Sequence, residues 1–173
     1  MTPAGRRLFF ALWPDDGVRD ALGEWQRHCL PQDVQPTLRA DLHMTLHFLG
    51  QVETTRLAEL ELLGDYIKQK VFDLQLDELG FFARPQVLWA GPSEAPPALL
   101  RMQQALGEGL AQMDFPCEKR AFSPHVTLAR KVKAKPQVAD LTSISWRVSQ
   151  WALVESRSGR RPLYAPLALW DLD

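Results

Sequence analysis

The chain has 173 residues, 46% of them hydrophobic, and a formal net charge of −1. That is the length of one domain with apolar material enough for a core, which excludes a disordered chain. Near-neutral charge excludes a global basic surface for nucleic acid, though not a local one, and no apolar run approaches a membrane span.

The opening stretch MTPAGRRLFFALWPDDG has two arginines before a short apolar run and then reaches Asp15. It lacks the long apolar region of a secretory signal and reads as a first strand, Arg7–Trp13. Asp15 or Asp16 can cap the next segment, where Val18, Leu22, Trp25 and Cys29 recur at helical spacing. The loop PQDVQP leads into HMTLHFLG (His43–Gly50), which reads as a strand. Residues 54–70 carry Leu57, Leu60, Leu63 and Ile67 at helical spacing, and Phe72–Leu79 alternates like a half-buried strand. The same grammar then begins again. Gln86–Gly91 is a strand, residues 96–113 a helix with proline in its first turn, and HVTLARKVK (His125–Lys133) a strand. Residues 143–156 and 161–170 are closing strands.

From Ala11 to His43 and from Ala90 to His125, the elements agree in type, order and approximate spacing. The chain is therefore expected to be α+β, one domain over residues 1–173 built by internal duplication from two similar, mostly antiparallel lobes. Cys29 and Cys117 lack zinc-ligand spacing and are expected to be free thiols in a reducing, cytoplasmic setting.

Each half contains His-x-Thr-Leu, at His43 and at His125. On a strand, alternate residues share a face, so His43 points with Thr45 and His125 with Thr127. Met44, Leu46 and Phe48, like Val126 and Leu128, should then point toward apolar packing. A pseudo-twofold relation between the lobes would bring both polar faces to one cleft. Imidazole titrates near neutrality, so one ring can act as acid while the other acts as base. The two hydroxyls can hold a phosphate oxygen anion without a metal. A single H-x-T occurs readily by chance; two copies on equivalent strands point to function.

The paired HMTL and HVTL, the opening RLFFALWP, and the extensions HMTLHFLG and PHVTLAR resemble the two-histidine (2H) phosphoesterase superfamily. Within it they are most similar to the bacterial RNA 2′,3′-cyclic phosphodiesterases of the ThpR/LigT group, once called 2′-5′ RNA ligases. The resemblance runs from Arg7 to Trp170. It implies two antiparallel sheets facing a central groove, with helices outside. It also implies metal-independent opening of 2′,3′-cyclic phosphates to 2′-phosphomonoesters with no cofactor, on RNA ends or small 2′,3′-cyclic nucleotides, by a monomer. In that scheme His43 is the proton donor to the leaving 3′ oxygen, His125 the proton acceptor from water, and Thr45 and Thr127 hold the phosphate. The residues alone are symmetric between the two histidines.

His47 falls on the face of His43 and Thr45 by simple alternation. It stands roughly 13 Å along the strand from His43, too far to share a metal; it reads as a substrate contact or as a structural histidine. Arg130 could grip phosphate through its guanidinium fork, but alternation from His125 puts it on the wrong face unless a bulge intervenes. Phe48 and Phe9 could stack on a base, with plain core the competing reading for Phe9. The basic runs Arg130–Pro136 and Ser156–Pro162 are solvated loops or a track for an RNA backbone. The alternatives to an RNA-end hydrolase are a 2H phosphodiesterase for small cyclic nucleotides or 2′-5′ oligoadenylates, and a non-catalytic module that holds RNA ends.

Overall fold

The computed structural model describes residues 4–173; the first three positions of the expected domain and of the opening stretch lie outside the described residues. In order the elements are β1 (Gly5–Leu12), α1 (Asp16–Cys29), β2 (Met44–Glu53), α2 (Leu57–Tyr66), β3 (Phe72–Leu76), β4 (Glu78–Phe82), β5 (Val87–Gly91), α3 (Pro97–Gln112), β6 (Val126–Arg130), β7 (Ile144–Val148), β8 (Gln150–Ser156) and β9 (Tyr164–Asp171). Asp15 caps α1, its Oδ1 accepting from the Val18 N–H at 2.9 Å, which satisfies a donor the first turn leaves unpaired. Pro97 opens α3, where its missing N–H costs nothing. None of the helices among the described residues is long and apolar enough to cross a membrane.

Two stretches expected as single strands each divide between two sheets. Phe72–Leu79 breaks at Asp77, so β3 pairs with β7 while β4 pairs with β5. Residues 143–156 break at Ser149, so β7 pairs with β3 while β8 pairs with β1. The expected strand over His125–Lys133 stops at Arg130, because Lys131 turns to φ 60°.

The large sheet runs β4-β5-β6-β2-β1-β8-β9, antiparallel at every pair, and β3-β7 forms a second, two-stranded sheet. In effect the large sheet is two halves, β4-β5-β6 and β2-β1-β8-β9, joined by one residue pair, Met44 opposite Val126. Beyond that pair β2 and β6 separate. The connection before β2 fills the gap: Thr37 N–H donates to Leu128 O at 2.9 Å, and Pro36 bridges Ala129. β1-α1-β2 and β5-α3-β6 thus stand on either side of the Met44–Val126 pair in the same order.

One face of β1 sends Leu8, Phe10 and Leu12 into the main core with Leu22 of α1, Met44, Leu46 and Leu106 of α3. The opposite face carries a smaller cluster of Phe9, Ala11, Ala152 and Val154, with Trp13 and Tyr164 packed against it. Each fully buried large side chain contributes about 1.5–3 kcal/mol. The helices pack on the first face; the second is where a groove can open.

Candidate active site

Met44 and Val126 are fully buried, which locks the backbones of the two motifs together. Because the pairing is antiparallel, one step either way sets His43 beside Thr127 and Thr45 beside His125. All four side chains line one groove of about 710 Å³, together with Arg130, Phe48 and Phe9. The seven side chains singled out from the sequence therefore meet.

Both imidazoles are held the same way. His43 Nδ1 donates to Asp41 O at 2.7 Å, and His125 Nδ1 donates to Ser123 O at 2.8 Å. A carbonyl only accepts, so each Nδ1 carries the proton and each neutral ring keeps its lone pair on Nε2. His43 Nε2 lies 3.0 Å from Thr45 Oγ1. Burial pushes the His43 imidazole down to about 4; the bond to Asp41 O opposes this, and the His125, Arg130 and Arg19 charges reinforce it. Burial lowers His125 as well, opposed by Ser123 O and reinforced by Arg130. His43 is therefore neutral near pH 7 in the free protein, and an anion entering the groove reverses the sign of the field.

Strict alternation fails at the same point in both motifs. In β2, Thr45 lies opposite Ala11 but His47 lies opposite Phe10, so Leu46 is an extra residue; in β6, Thr127 lies opposite Trp89 but Ala129 lies opposite Leu88, so Leu128 is extra. Each bulge inverts the facing of the residues beyond it. Two expectations change. His47 leaves the His43 face: it is 8% exposed, its Nε2 is 2.8 Å from Gln103 O of α3, and it packs so close to Gly107 that a Cβ there would lie 3.0 Å from the ring. Phe48, expected to point to apolar packing, turns out to the groove with 36% exposure, and Arg7 covers one side of its ring at 4.7 Å. The bulge that Arg130 required is present at Leu128, and Arg130 stands exposed on the groove. Arg130 has no ion-pair partner among the described residues. Phe9 is 3% exposed, its ring 4.8 Å from His43 and 5.2 Å from Tyr164. It forms the wall behind His43 and has no open face for a base.

Several residues that shape the site carried no sequence signal. Buried Arg19 donates to Pro14 O at 3.0 Å, Arg39 O at 2.7 Å and Leu42 O at 2.8 Å, clamping the turn that presents Asp41 O to His43. The Asp41 carboxylate accepts from Leu163 N–H and Tyr164 N–H, tying the start of β9 to the same turn. Tyr164 meets the His43 ring edge-on at 4.8 Å, and Phe82 meets His125 at 5.2 Å. Among the described residues no group of His, Cys, Asp and Glu is placed to hold a metal ion.

A two-lobed antiparallel fold that sets two H-x-T strands side by side across a groove is that of the two-histidine phosphoesterases. A family profile described as the 2′-5′ RNA ligase superfamily matches residues 14–160, and the chain belongs to that superfamily. The RNA 2′,3′-cyclic phosphodiesterase of Escherichia coli is 32% identical over 170 residues, covering 96% of this chain and 97% of its own. That of Thermus thermophilus is 31% identical, covering 96% and 90%. The crystal structure of E. coli LigT complexed with 3′-AMP superposes with a TM-score of 0.82 at 30% identity, covering 98% of this chain and 99% of that one.

Proposed function

We propose that this chain is an RNA 2′,3′-cyclic phosphodiesterase that opens cyclic phosphate ends to 2′-phosphomonoesters without a metal. One observation carries the proposal: two imidazoles, each with Nδ1 committed to a carbonyl so that Nε2 is the reactive nitrogen, line one groove with two threonine hydroxyls and a guanidinium, and His43 Nε2 is within hydrogen-bond distance of Thr45 Oγ1. The names of the relatives support the substrate class. The cyclic phosphate monoanion sits among Thr45, Thr127 and Arg130, whose hydroxyls and guanidinium donate to the non-bridging oxygens. His125 Nε2 takes a proton from water as the water oxygen attacks phosphorus. The bond from phosphorus to the 3′ oxygen breaks, and His43 Nε2–H passes its proton to that oxygen. Since His43 is held low in the free protein, its proton arrives with the anion, which offsets the neighbouring cations. With the 5′ hydroxyl of a second RNA end in place of water, the same displacement joins the ends through a 2′-5′ bond, His125 taking the hydroxyl proton and His43 protonating the 3′ oxygen.

In this reading Phe48 offers the open ring to a base, and the two halves act as one domain across their shared groove. Every group the chemistry needs comes from one chain, so a monomer suffices. The free thiols Cys29 and Cys117 and an RNA-end substrate favour the cytoplasm. Incubation with a nucleoside 2′,3′-cyclic phosphate in excess EDTA tests the proposal. A 2′-phosphate product supports it; no turnover, a 3′-phosphate product, or activity that returns only with added metal overturns it.

A further inference from the structure

The extra residue of a bulge is left out of the regular strand ladder, yet its buried carbonyl still needs a donor. In both motifs a glutamine from the opposite half of the chain stands at that carbonyl. Gln26 of α1 is 8% exposed and donates from Nε2 to Leu128 O at 3.0 Å and to Thr37 O at 2.9 Å. Those two bonds use both hydrogens of the amide. Gln103 of α3 stands in the same relation to the other motif. Its Nε2 is 3.5 Å from Leu46 O, and its backbone oxygen accepts from His47 Nε2 at 2.8 Å. Each helix thus reaches the extra residue of the motif strand in the other half.

Only Leu128 and Ala129, both fully buried, lie between Thr127 and Arg130. Thr127 and Arg130 reach the same groove because those two residues stand against Leu88 alone. β2 leaves β6 after the Met44–Val126 pair, so beyond it that edge of β6 has no strand beside it. There Leu128 O is held by two donors, Thr37 N–H at 2.9 Å and the Gln26 amide. The first is backbone, which any residue but proline supplies; the second belongs to Gln26. We propose, resting on the phosphodiesterase reading, that Gln26 is a positioning residue for the phosphate: by fixing Leu128 O it fixes the bulge, and so holds Arg130 toward the groove. A guanidinium bonds two phosphate oxygens at once only when its fork is aligned. Arg130 has no ion-pair partner among the described residues to align it. Its direction is set by its backbone, and the backbone by the carbonyl that Gln26 holds. The position needs a neutral donor among carbonyls; a carboxylate there has no hydrogen to give.

Binding of inorganic phosphate, followed by calorimetry, tests this without requiring turnover. Arg130→Gln should weaken it by about tenfold or more, the scale of a lost bond to a charged group. Gln26→Met keeps the side-chain length and removes the donor; it should weaken phosphate by about fivefold, the scale of one neutral bond. The double variant should bind no more weakly than Arg130→Gln alone, to within about twofold, because Gln26 acts through Arg130. Gln26→Glu, of the same shape but without a donor once ionised, should behave as Gln26→Met. Losses that multiply in the double variant, or phosphate binding unchanged in Gln26→Met, overturn the proposal. So does a fall in kcat on a nucleoside 2′,3′-cyclic phosphate with phosphate binding intact, which would put the action of Gln26 on the turn after Thr37. A second measurement needs no Gln26 variant and decides the matter if those variants do not fold. In wild type the Gln26 side-chain amide protons should be protected from exchange, and their resonances should move at saturating phosphate; in Arg130→Gln they should stay in place. Fast exchange, or equal movement in Arg130→Gln, overturns the proposal. An intact binding cycle in a protein that turns over no 2′,3′-cyclic phosphate would refute the phosphodiesterase reading alone. Arg130→Gln that binds phosphate like wild type would take Arg130 from the phosphate and the role of Gln26 with it.

Discussion

The His43 ring should cost the folded protein stability in acid. Burial holds it at about 4 against an ordinary value of 6.5, and the nearby His125, Arg130 and Arg19 charges add to the effect. Above pH 6.5 the ring is neutral in both folded and unfolded chains, and folding is indifferent to it. As pH falls below 6.5 the unfolded chain takes a proton that the folded chain refuses, so stability drops until the folded ring itself titrates near 4. At about 1.4 kcal/mol per pH unit, that window holds at most about 3 kcal/mol; solvent in the groove screens part of it. His43→Gln keeps a polar side chain that does not titrate. Urea unfolding at pH 7 and pH 4.5 should show wild type losing about 2–3 kcal/mol more than the variant between the two pH values. Inorganic phosphate should narrow the gap, because an anion in the groove favours the protonated ring. NMR of the imidazole C–H protons gives the same quantity directly, as a His43 titration near 4 in free protein that moves alkaline with phosphate. Parallel stability curves for wild type and variant, or a free His43 that titrates near 6.5, would refute the argument from burial and charge.

His43→Ala and His125→Ala should each lower kcat by several orders of magnitude, and the double variant should be little worse than either because the pair acts as a unit. In the residual activity, His43→Ala should remove the alkaline limb of the bell-shaped pH profile and His125→Ala the acidic limb; interchanged limbs would reverse the roles. Thr45→Ala and Thr127→Ala each remove one hydrogen bond to a charged oxygen, so kcat/KM should fall by an amount equivalent to about 1.5–3 kcal/mol; no change in steady-state kinetics would place the phosphate elsewhere. Arg130→Gln should weaken substrate binding and, by removing a cation that lowers both imidazoles, shift both NMR titrations alkaline in the free protein. Arg19→Met leaves the buried carbonyls of Pro14 and Leu42 without their donor, at about 1–3 kcal/mol each. Its urea midpoint should fall, and kcat should suffer more than KM because the turn that orients His43 loosens.

The sequence by itself determined the elements, their duplicated order and the chemical content of the site. Helical and strand periodicity are local, so α1, α3, β1 and β5 were legible from spacing alone, and H-x-T-L is a contiguous word that survives any fold. What the tertiary structure decided is which way the side chains beyond that word point. Nothing in HMTLHF or HVTLAR marks Leu46 or Leu128 as an extra residue. A bulge is a property of two strands counted against each other, two residues facing one, and it exists only once β1 lies beside β2 and β5 beside β6. That count sends His47 under α3, turns Phe48 outward, and brings Arg130 to the groove. The carbonyls of Asp41 and Ser123 that fix both imidazoles are backbone atoms, which every residue carries, so no side-chain pattern could single them out. Tyr164 comes from the far end of the chain and reaches His43 only because β9 pairs with β8, β8 with β1, and Asp41 holds its amide. The single Met44–Val126 pair, too short to read from sequence, sets the two words side by side and lets their strands part beyond it.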